Sequence, residues 1–372
     1  MKKLLVLIIL VVLSCHPLFS QKADNFFNSG MDKYKNGYYV DAILDFTQAI
    51  KESPENSDSY IYRAKSYNAI GNYDEAIKDY TSAIALQPHN AELFTNRAIA
   101  KSEIGKNKDA IEDCDLAIKA DSTYYTSYFV RGYSKYLLKD YKGAIEDYSR
   151  TIKLNPFYTD AFYNRGMAYS MTANYKAAIG DFDKVINLSP RDYKAFVSRG
   201  MVHAQMKNYT QAIIDYDKAI EIRPDYSNAF YNKGFTEFEM KDFEKAEKDY
   251  TNAINTKKDY FDAYYNRGLT RFELKKYDDA ISDYNVVIKN KPSDYECYLN
   301  RGLCWEKSGN SQKAIEDYNK SIEINGSYSK AYANRAYTYY NIKNYEQACT
   351  DWKKATELGS KIAESNYNQF CK

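Results

Sequence analysis

A period of 34 residues runs through the chain from residue 23 onward and leaves little freedom in what it can fold into. The motif Ala-Ile-x-Asp-aromatic stands at Ala76 to Tyr80, Ala144 to Tyr148, Ala178 to Phe182, Ala212 to Tyr216 and Ala280 to Tyr284, always a multiple of 34 residues apart. Extending that frame gives ten repeats beginning at residues 23, 57, 91, 125, 159, 193, 227, 261, 295 and 329, with no insertion or deletion between them. A short strict period implies one supersecondary unit per repeat, each burying its apolar face against its neighbours.

Within a repeat, position 4 is always aromatic, position 8 is always Gly or Ala, and position 20 is always Ala. Apolar or small residues at 4, 8 and 11 or 12, and again at 20, 24, 27 and 28, lie on single faces of two successive helices. Each unit therefore reads as a helical hairpin. Small residues at 8 and 20 let the two helices approach closely. Six of the seven prolines (Pro54, Pro88, Pro156, Pro190, Pro224 and Pro292) fall at position 32, where a missing N–H and a ring clash end the second helix. Only 15 glycines and 7 prolines in 372 residues leave little material for β-turns, which agrees with an all-α fold.

This signature, with an aromatic at position 4, a small residue at 8, alanine at 20, an aromatic at 24 and proline at 32, resembles the tetratricopeptide repeat over about nine tenths of the chain. The resemblance implies a right-handed superhelical solenoid of ten helix-turn-helix repeats, first helices lining a concave groove and second helices outside. The expected organisation is a signal peptide at 1–20, the array at 21–362 and a C-terminal capping helix at 363–372. Departures are local: position 11 is Lys33, Lys101, Lys135, His203, Glu237 or Arg271 in six repeats, and position 32 is Ser122, Lys258, Gly326 or Ser360 in four.

Lys2, Lys3 and the apolar run Leu4 to Leu13 have the form of a secretion signal, too short to span a bilayer. Two readings stand: cleavage after Ser20, giving a periplasmic or secreted chain, or lipidation of Cys15 in an imperfect lipobox, anchoring it at the outer membrane. No later stretch has the apolar length of a transmembrane helix. The formal charge is +2, and Lys2 and Lys3 account for it. A near-neutral chain without a basic cluster lacks the footprint of a nucleic-acid binder.

Two polar positions recur. Position 23 is aspartate in all ten repeats and position 7 is arginine in eight, with Lys233 and Ser29 the exceptions. Among them Arg131, Arg165, Arg199, Asp147, Asp181 and Asp215 are expected to form a structural ladder of ion pairs; an anion-binding arginine row is the alternative. The expected pairing joins the aspartate of one repeat to the arginine of the next, because the first repeat, with no predecessor, lacks the base.

Position 6 is asparagine in seven repeats, including Asn164, Asn232, Asn266, Asn300 and Asn334. An amide both donates and accepts, which suits an extended peptide backbone, although it also suits local helix contacts. The array here resembles the superhelix of the O-linked N-acetylglucosamine transferases, in which an asparagine ladder of this kind lines the groove. Aromatics at positions 5, 9 and 12, among them Tyr133, Tyr163, Tyr231, Phe235 and Tyr265, are expected to flank the row; helix packing is the alternative use for such a stripe.

Of the six cysteines, Cys114 and Cys297 occupy core positions, Cys304 has no evident partner, and Cys349 and Cys371, 22 residues apart, are a candidate disulfide closing the last repeat onto the tail. Such a bridge contributes roughly 3 kcal/mol by loop closure. His89 and His203 lie in different repeats and make no metal site, and the repeats leave no space for a catalytic domain or cofactor fold. The sequence thus predicts a non-enzymatic scaffold that binds a protein or extended peptide. A groove for carbohydrate or peptidoglycan, or a homotypic structural element, are the alternatives.

Overall fold

The amphipathic spacing becomes helix throughout. A computed structural model describes residues 21–372, and among them there is helix and turn but no strand. Helix α1 covers 21–35 and pairs with α2 (Tyr39–Glu52). Eight further hairpins follow: α3 (Ser57–Ala69) with α4 (Tyr73–Leu86), α5 (Ala91–Glu103) with α6 (Asn107–Ala120), α7 (Tyr125–Leu137) with α8 (Tyr141–Leu154), α9 (Thr159–Met171) with α10 (Tyr175–Leu188), α11 (Tyr193–Gln205) with α12 (Tyr209–Ile222), α13 (Ser227–Glu239) with α14 (Phe243–Thr256), α15 (Phe261–Glu273) with α16 (Tyr277–Asn290) and α17 (Tyr295–Lys307) with α18 (Ser311–Ile324). The tenth is α19 (Ser329–Asn341) with α20 (Tyr345–Glu357), and α21 (Lys361–Phe370) follows it. The helices group into two units that divide at Pro190, the position-32 proline closing the fifth repeat. The expected signal peptide and Cys15 lie outside the described residues.

Helix α16 illustrates the rule. Asp278 and Asp279 sit in its first turn and Lys289 in its last, favourable for the helix dipole. Ala280, Ile281, Asp283, Tyr284 and Val287 form its buried stripe, and Pro292 follows its end. In every repeat the position-20 alanine is fully buried, and so is the position-24 residue. The position-24 ring fills the space beside position 8: a Cβ added to Gly302 would stand 2.6 Å from the Tyr318 ring, and one added to Gly268 2.8 Å from Tyr284. The small residue is thus required mainly by a ring, and at Gly200 and Gly234 also by the carbonyl of Ala212 or Ala246.

The turn inside each hairpin has one requirement that the periodicity does not reveal. Position 15 adopts positive φ in all ten repeats, including Gly71 at 76°, Lys139 at 64° and Ala173 at 56°. A left-handed conformation costs an L-residue about 1–2 kcal/mol.

The ion-pair ladder is present, with a different pairing from the one expected. The position-7 arginine binds the position-23 aspartate of its own repeat, two-pronged: Arg131 Nε and Nη2 donate to Asp147 at 2.9 and 2.5 Å, Arg165 to Asp181 at 2.8 and 2.7 Å, and Arg199 to Asp215 at 3.0 and 2.6 Å. The antiparallel hairpin sets this, because positions 7 and 23 adjoin the packed pair at positions 8 and 24. The remaining guanidinium nitrogen reaches back one repeat, to position 25: Arg63 to Thr47 at 3.0 Å, Arg131 to Asp115 at 2.6 Å, Arg165 to Ser149 at 2.9 Å and Arg301 to Asn285 at 2.6 Å. Each of these four arginines therefore ties its hairpin together and also links it to the one before. The same geometry accounts for Ser29 in the first repeat, where Ser29 Oγ donates to Asp45 at 2.6 Å and Lys33 supplies the charge at 2.7 Å. In the tenth repeat Asp351 is held by Arg335 and needs nothing from the tail.

Most carboxylates of this ladder are almost fully buried. Burial pushes Asp79, Asp283 and Asp317 above the ordinary carboxylate value, against the pull of the paired guanidinium. Loss of the partner would leave a buried, unpaired acid.

Helix α21 covers the end of the last hairpin. Phe370 packs against Tyr340 and Trp352, with ring centroids 4.8 and 5.8 Å away, and Cys371 is bonded to Cys349 with a Cα separation of 5.6 Å. The helix starts at Lys361, two residues before the expected cap boundary, because Ser360 caps it by accepting from the Ala363 N–H. Cys114, Cys297 and Cys304 are buried thiols.

Arg301→Ala is expected to cost about 3 kcal/mol, the range for breaking one side of a buried pair. Arg301→Lys keeps the charge and should cost about 1 kcal/mol. Hydrogen exchange of the α17 and α18 amides is the suitable measurement, because repeat arrays open locally. Equal protection in both variants and the parent would mean that the pair contributes nothing. Ala173→Gly, which relieves a left-handed alanine, is expected to raise local stability by about 0.5–1 kcal/mol, and Gly71→Ala to lower it by a similar amount.

Candidate protein-binding surface

Helical geometry divides each first helix into two stripes. Positions 5 and 12 lie seven residues apart on one flank, whereas 2, 6, 9 and 13 share another. The first stripe proves to be packing. The Tyr163 ring meets Phe182 edge-on with centroids 5.7 Å apart, Tyr231 stacks on Tyr260 at 4.9 Å, and Tyr265 meets Tyr284 at 6.0 Å. These three expected groove residues are half-buried structural rings. Position-12 rings pack on position 17 of the same hairpin, as in Tyr136 with Tyr141, Phe238 with Phe243 and Phe272 with Tyr277.

The open stripe is the other one. At position 9 Tyr133 is 39% exposed, Met201 41%, Phe235 46% and Tyr337 48%, and every repeat but the second, which has Lys65, is apolar there. The other apolar residues of this position are half-buried, and Ile99 and Leu303 also pack against the hydrophobic core, so the exposed apolar part of the stripe is these four side chains.

The amides of position 6 do not form one uniform row. Asn266 donates to the Tyr231 hydroxyl at 2.8 Å and Asn300 to the Tyr265 hydroxyl at 2.9 Å, so both are used to join adjacent repeats. Asn164 donates to the Asp160 carbonyl in its own helix at 2.8 Å. Asn232 and Asn334 make no side-chain hydrogen bond among the described residues, because position 5 of the preceding repeat is Val197 or Leu299, with no hydroxyl to offer. The amide pattern is set by the neighbour's position 5, which a row of identical asparagines conceals.

Two cavities, one in each unit, open beside position-9 side chains of this stripe. Both have a small residue at position 12, Ser102 in the third repeat and Ala204 in the sixth, where five other repeats carry a ring. The first, of about 360 Å³, lies among α5, α7 and α9, and Tyr158 from the preceding turn closes one side. Burial and the nearby Asp160 raise the Tyr158 hydroxyl to about 12. The second, of about 370 Å³, lies between α11 and α13 and is walled by Met201, Tyr209, Tyr216 and Phe235, with Asn232 at its edge.

Tetratricopeptide-repeat models match residues 57–90, 132–172, 159–192, 193–226, 231–295, 295–328 and 317–350, together about two thirds of the chain. The chain belongs to the tetratricopeptide repeat family. Among solved structures, a tetratricopeptide repeat protein from Parabacteroides merdae is 20% identical, with a TM-score of 0.55 over 67% of this chain and 99% of that one. The C-terminal part of a tetratricopeptide repeat-containing protein from Cytophaga hutchinsonii is 22% identical, with a TM-score of 0.52 over 64% of this chain and 97% of that one. Both likenesses are of fold. No curated protein matches the chain in sequence. Among the described residues no helix is long and apolar enough to cross a membrane.

The seventh repeat departs from the family pattern beneath this surface. It has Lys233 at position 7, whose ammonium lies 2.8 Å from Asp217 and 3.3 Å from Asp249, and Glu237 at position 11, where several other repeats place a lysine or arginine against the position-23 carboxylate. Lys101 with Asp113 and Lys135 with Asp147, at 2.7 and 2.8 Å, show that arrangement. Glu237 is 2% exposed and its Oε2 lacks a partner. Burial, and then the adjacent Asp249, push its carboxyl from 4.5 up to about 8.

Between those two values only the folded chain holds the proton, so folding loses stability as pH rises through the interval and levels off above about 8. Glu237→Gln is therefore expected to leave stability unchanged near about pH 4 and to raise it near about pH 9. Denaturant midpoints of the two chains at both pH values test this; a difference independent of pH would remove Glu237 from the account.

Proposed function

We propose that the chain is an exported, non-catalytic scaffold that holds an extended segment of another protein along the first-helix face of its repeats. The exposed apolar residues of position 9 carry this reading. Apolar residues recur at this position in nearly every repeat, four of them (Tyr133, Met201, Phe235 and Tyr337) are exposed, and aromatic or methionine side chains of this kind form the centres of protein interfaces. The unengaged amides of Asn232 and Asn334 supply backbone-directed donors and acceptors beside that stripe. Membership in a family of interaction scaffolds supports the same conclusion.

Export is the matching reading of the N-terminal leader, and the bonded pair Cys349 and Cys371 suits an oxidising compartment. Mass spectrometry of the chain from its native cells, with and without reductant, is expected to give one bridge at that pair and thiols at Cys114, Cys297 and Cys304. Free thiols at Cys349 and Cys371 would argue against an exported location.

A photo-crosslinker in place of Phe235 is expected to capture a different polypeptide in those cells, whereas one in place of exposed Glu244 on α14 is not. Adducts only with a second copy would make the chain a homotypic element instead, and adducts with glycan would make it a sugar binder. The paired change Asn232→Ala with Asn334→Ala should weaken capture and leave stability within about 0.5 kcal/mol. Asn266→Ala with Asn300→Ala should instead cost about 1–2 kcal/mol, because each removes a hydrogen bond between repeats.

A further inference from the structure

The cavity of the third to fifth repeats carries a charge pattern that the one at Ala204 does not. Ser102 stands where five other repeats have a ring, and Ile99, Phe129, Val130 and Tyr133 line the space that this leaves. Phe129 and Tyr158 meet edge-on with centroids 5.0 Å apart and form a rigid aromatic side. At the rim stand Glu103 and Asp160, both exposed, and neither carboxylate has an ion-pair or hydrogen-bond partner among the described residues.

Carboxylates close by are matched: Glu92 with Lys65 at 3.1 Å, Asp113 with Lys101 and Asp147 with Lys135. No lysine or arginine lines this cavity, whereas the one at Ala204 has both Lys207 and Glu239 in its lining and so offers no net charge.

We propose that the Ser102 cavity receives a lysine or arginine side chain of the polypeptide bound along the first-helix face. This rests on the scaffold reading above and adds the chemistry of the residue selected. The methylene stem of a basic side chain suits the apolar wall, because such stems bury readily while the charged head stays at the surface. Glu103 and Asp160 then supply the anionic partners, with charge-assisted hydrogen bonds to the head group. The Tyr133 ring offers a face to the same cation. An acidic side chain would meet two carboxylates with no counter-charge, and a plain aliphatic one would leave both unused.

A random peptide library displayed on phage and selected against the full chain, disulfide intact, tests the assignment. Selected peptides are expected to share one basic site, and a synthetic copy of the consensus should bind about fivefold or more weakly to the Glu103→Gln, Asp160→Asn double variant. Replacing its basic residue by norleucine should give equal affinity for the parent and that variant. Ser102→Tyr, which restores the ring found in other repeats, should weaken the consensus peptide while leaving the melting temperature the same or higher.

Peptides without a basic site, or with equal affinity for parent and both variants, would overturn the cavity assignment and leave the scaffold reading standing. If the parent chain selects no peptide, both readings fall.

Discussion

In nine repeats of ten the structure depends on a ring lying on a residue that has almost no side chain, and in the third Cys114 takes that place beside Ala98. The position-24 aromatic fills the space over position 8, as Tyr318 does over Gly302, and the fit fixes how the two helices of a hairpin meet. The polar ladder follows from it. The position-23 aspartate precedes the ring in the chain and is carried into the interior with it, and the position-7 arginine precedes the small residue and arrives opposite. A buried carboxylate is costly unless it is paired and hydrogen-bonded, and the two-pronged guanidinium meets that need. Its third nitrogen, bonded to position 25 of the repeat before, turns a device within one hairpin into a link between hairpins. Lys233, a point charge in place of the planar fork, makes the seventh repeat the electrostatic exception, and Glu237 lies beside it.

The candidate binding features lie where the repeats differ. Positions 8, 20, 23 and 24 are nearly uniform because every hairpin has the same packing problem. Position 12 is not: a ring there closes the hairpin onto position 17, and Ser102 or Ala204 leaves a cavity instead. At these two places a small residue stands where other repeats pack a ring, and a recess lies beside position 9. The rim then gives each recess its chemistry, unbalanced carboxylates at Ser102 and a balanced pair of charges at Ala204.

The tyrosine content follows the same division. Most of the 40 tyrosines serve packing, including Tyr163, Tyr231 and Tyr265, which the repeat pattern assigned to the binding face. They pack because position 5 turns toward the second helix while position 9 does not. Tyr231 and Tyr265 have a further use, since their hydroxyls accept from the next repeat's asparagine and remove those amides from the surface. A tyrosine can supply a ring to the core and a hydroxyl to a junction at once.

The hairpins, their number, their limits at proline and the small residues between them were legible in the sequence, because a helix has its own period and a repeat multiplies the signal tenfold. The recurrence of aspartate at position 23 with arginine at position 7 was equally plain. What periodicity could not assign was the partner. When every repeat carries the same acid and the same base, pairing within a repeat and pairing between repeats give one and the same pattern, and only the antiparallel approach of the two helices decides between them. The same degeneracy hid which asparagines are engaged, the left-handed position 15 that glycine, lysine and alanine all occupy, and the two cavities. Sequence alone thus determined the local structure and its repetition. The contacts between side chains of neighbouring units, set by three-dimensional distance rather than by spacing along the chain, were decided by the tertiary structure.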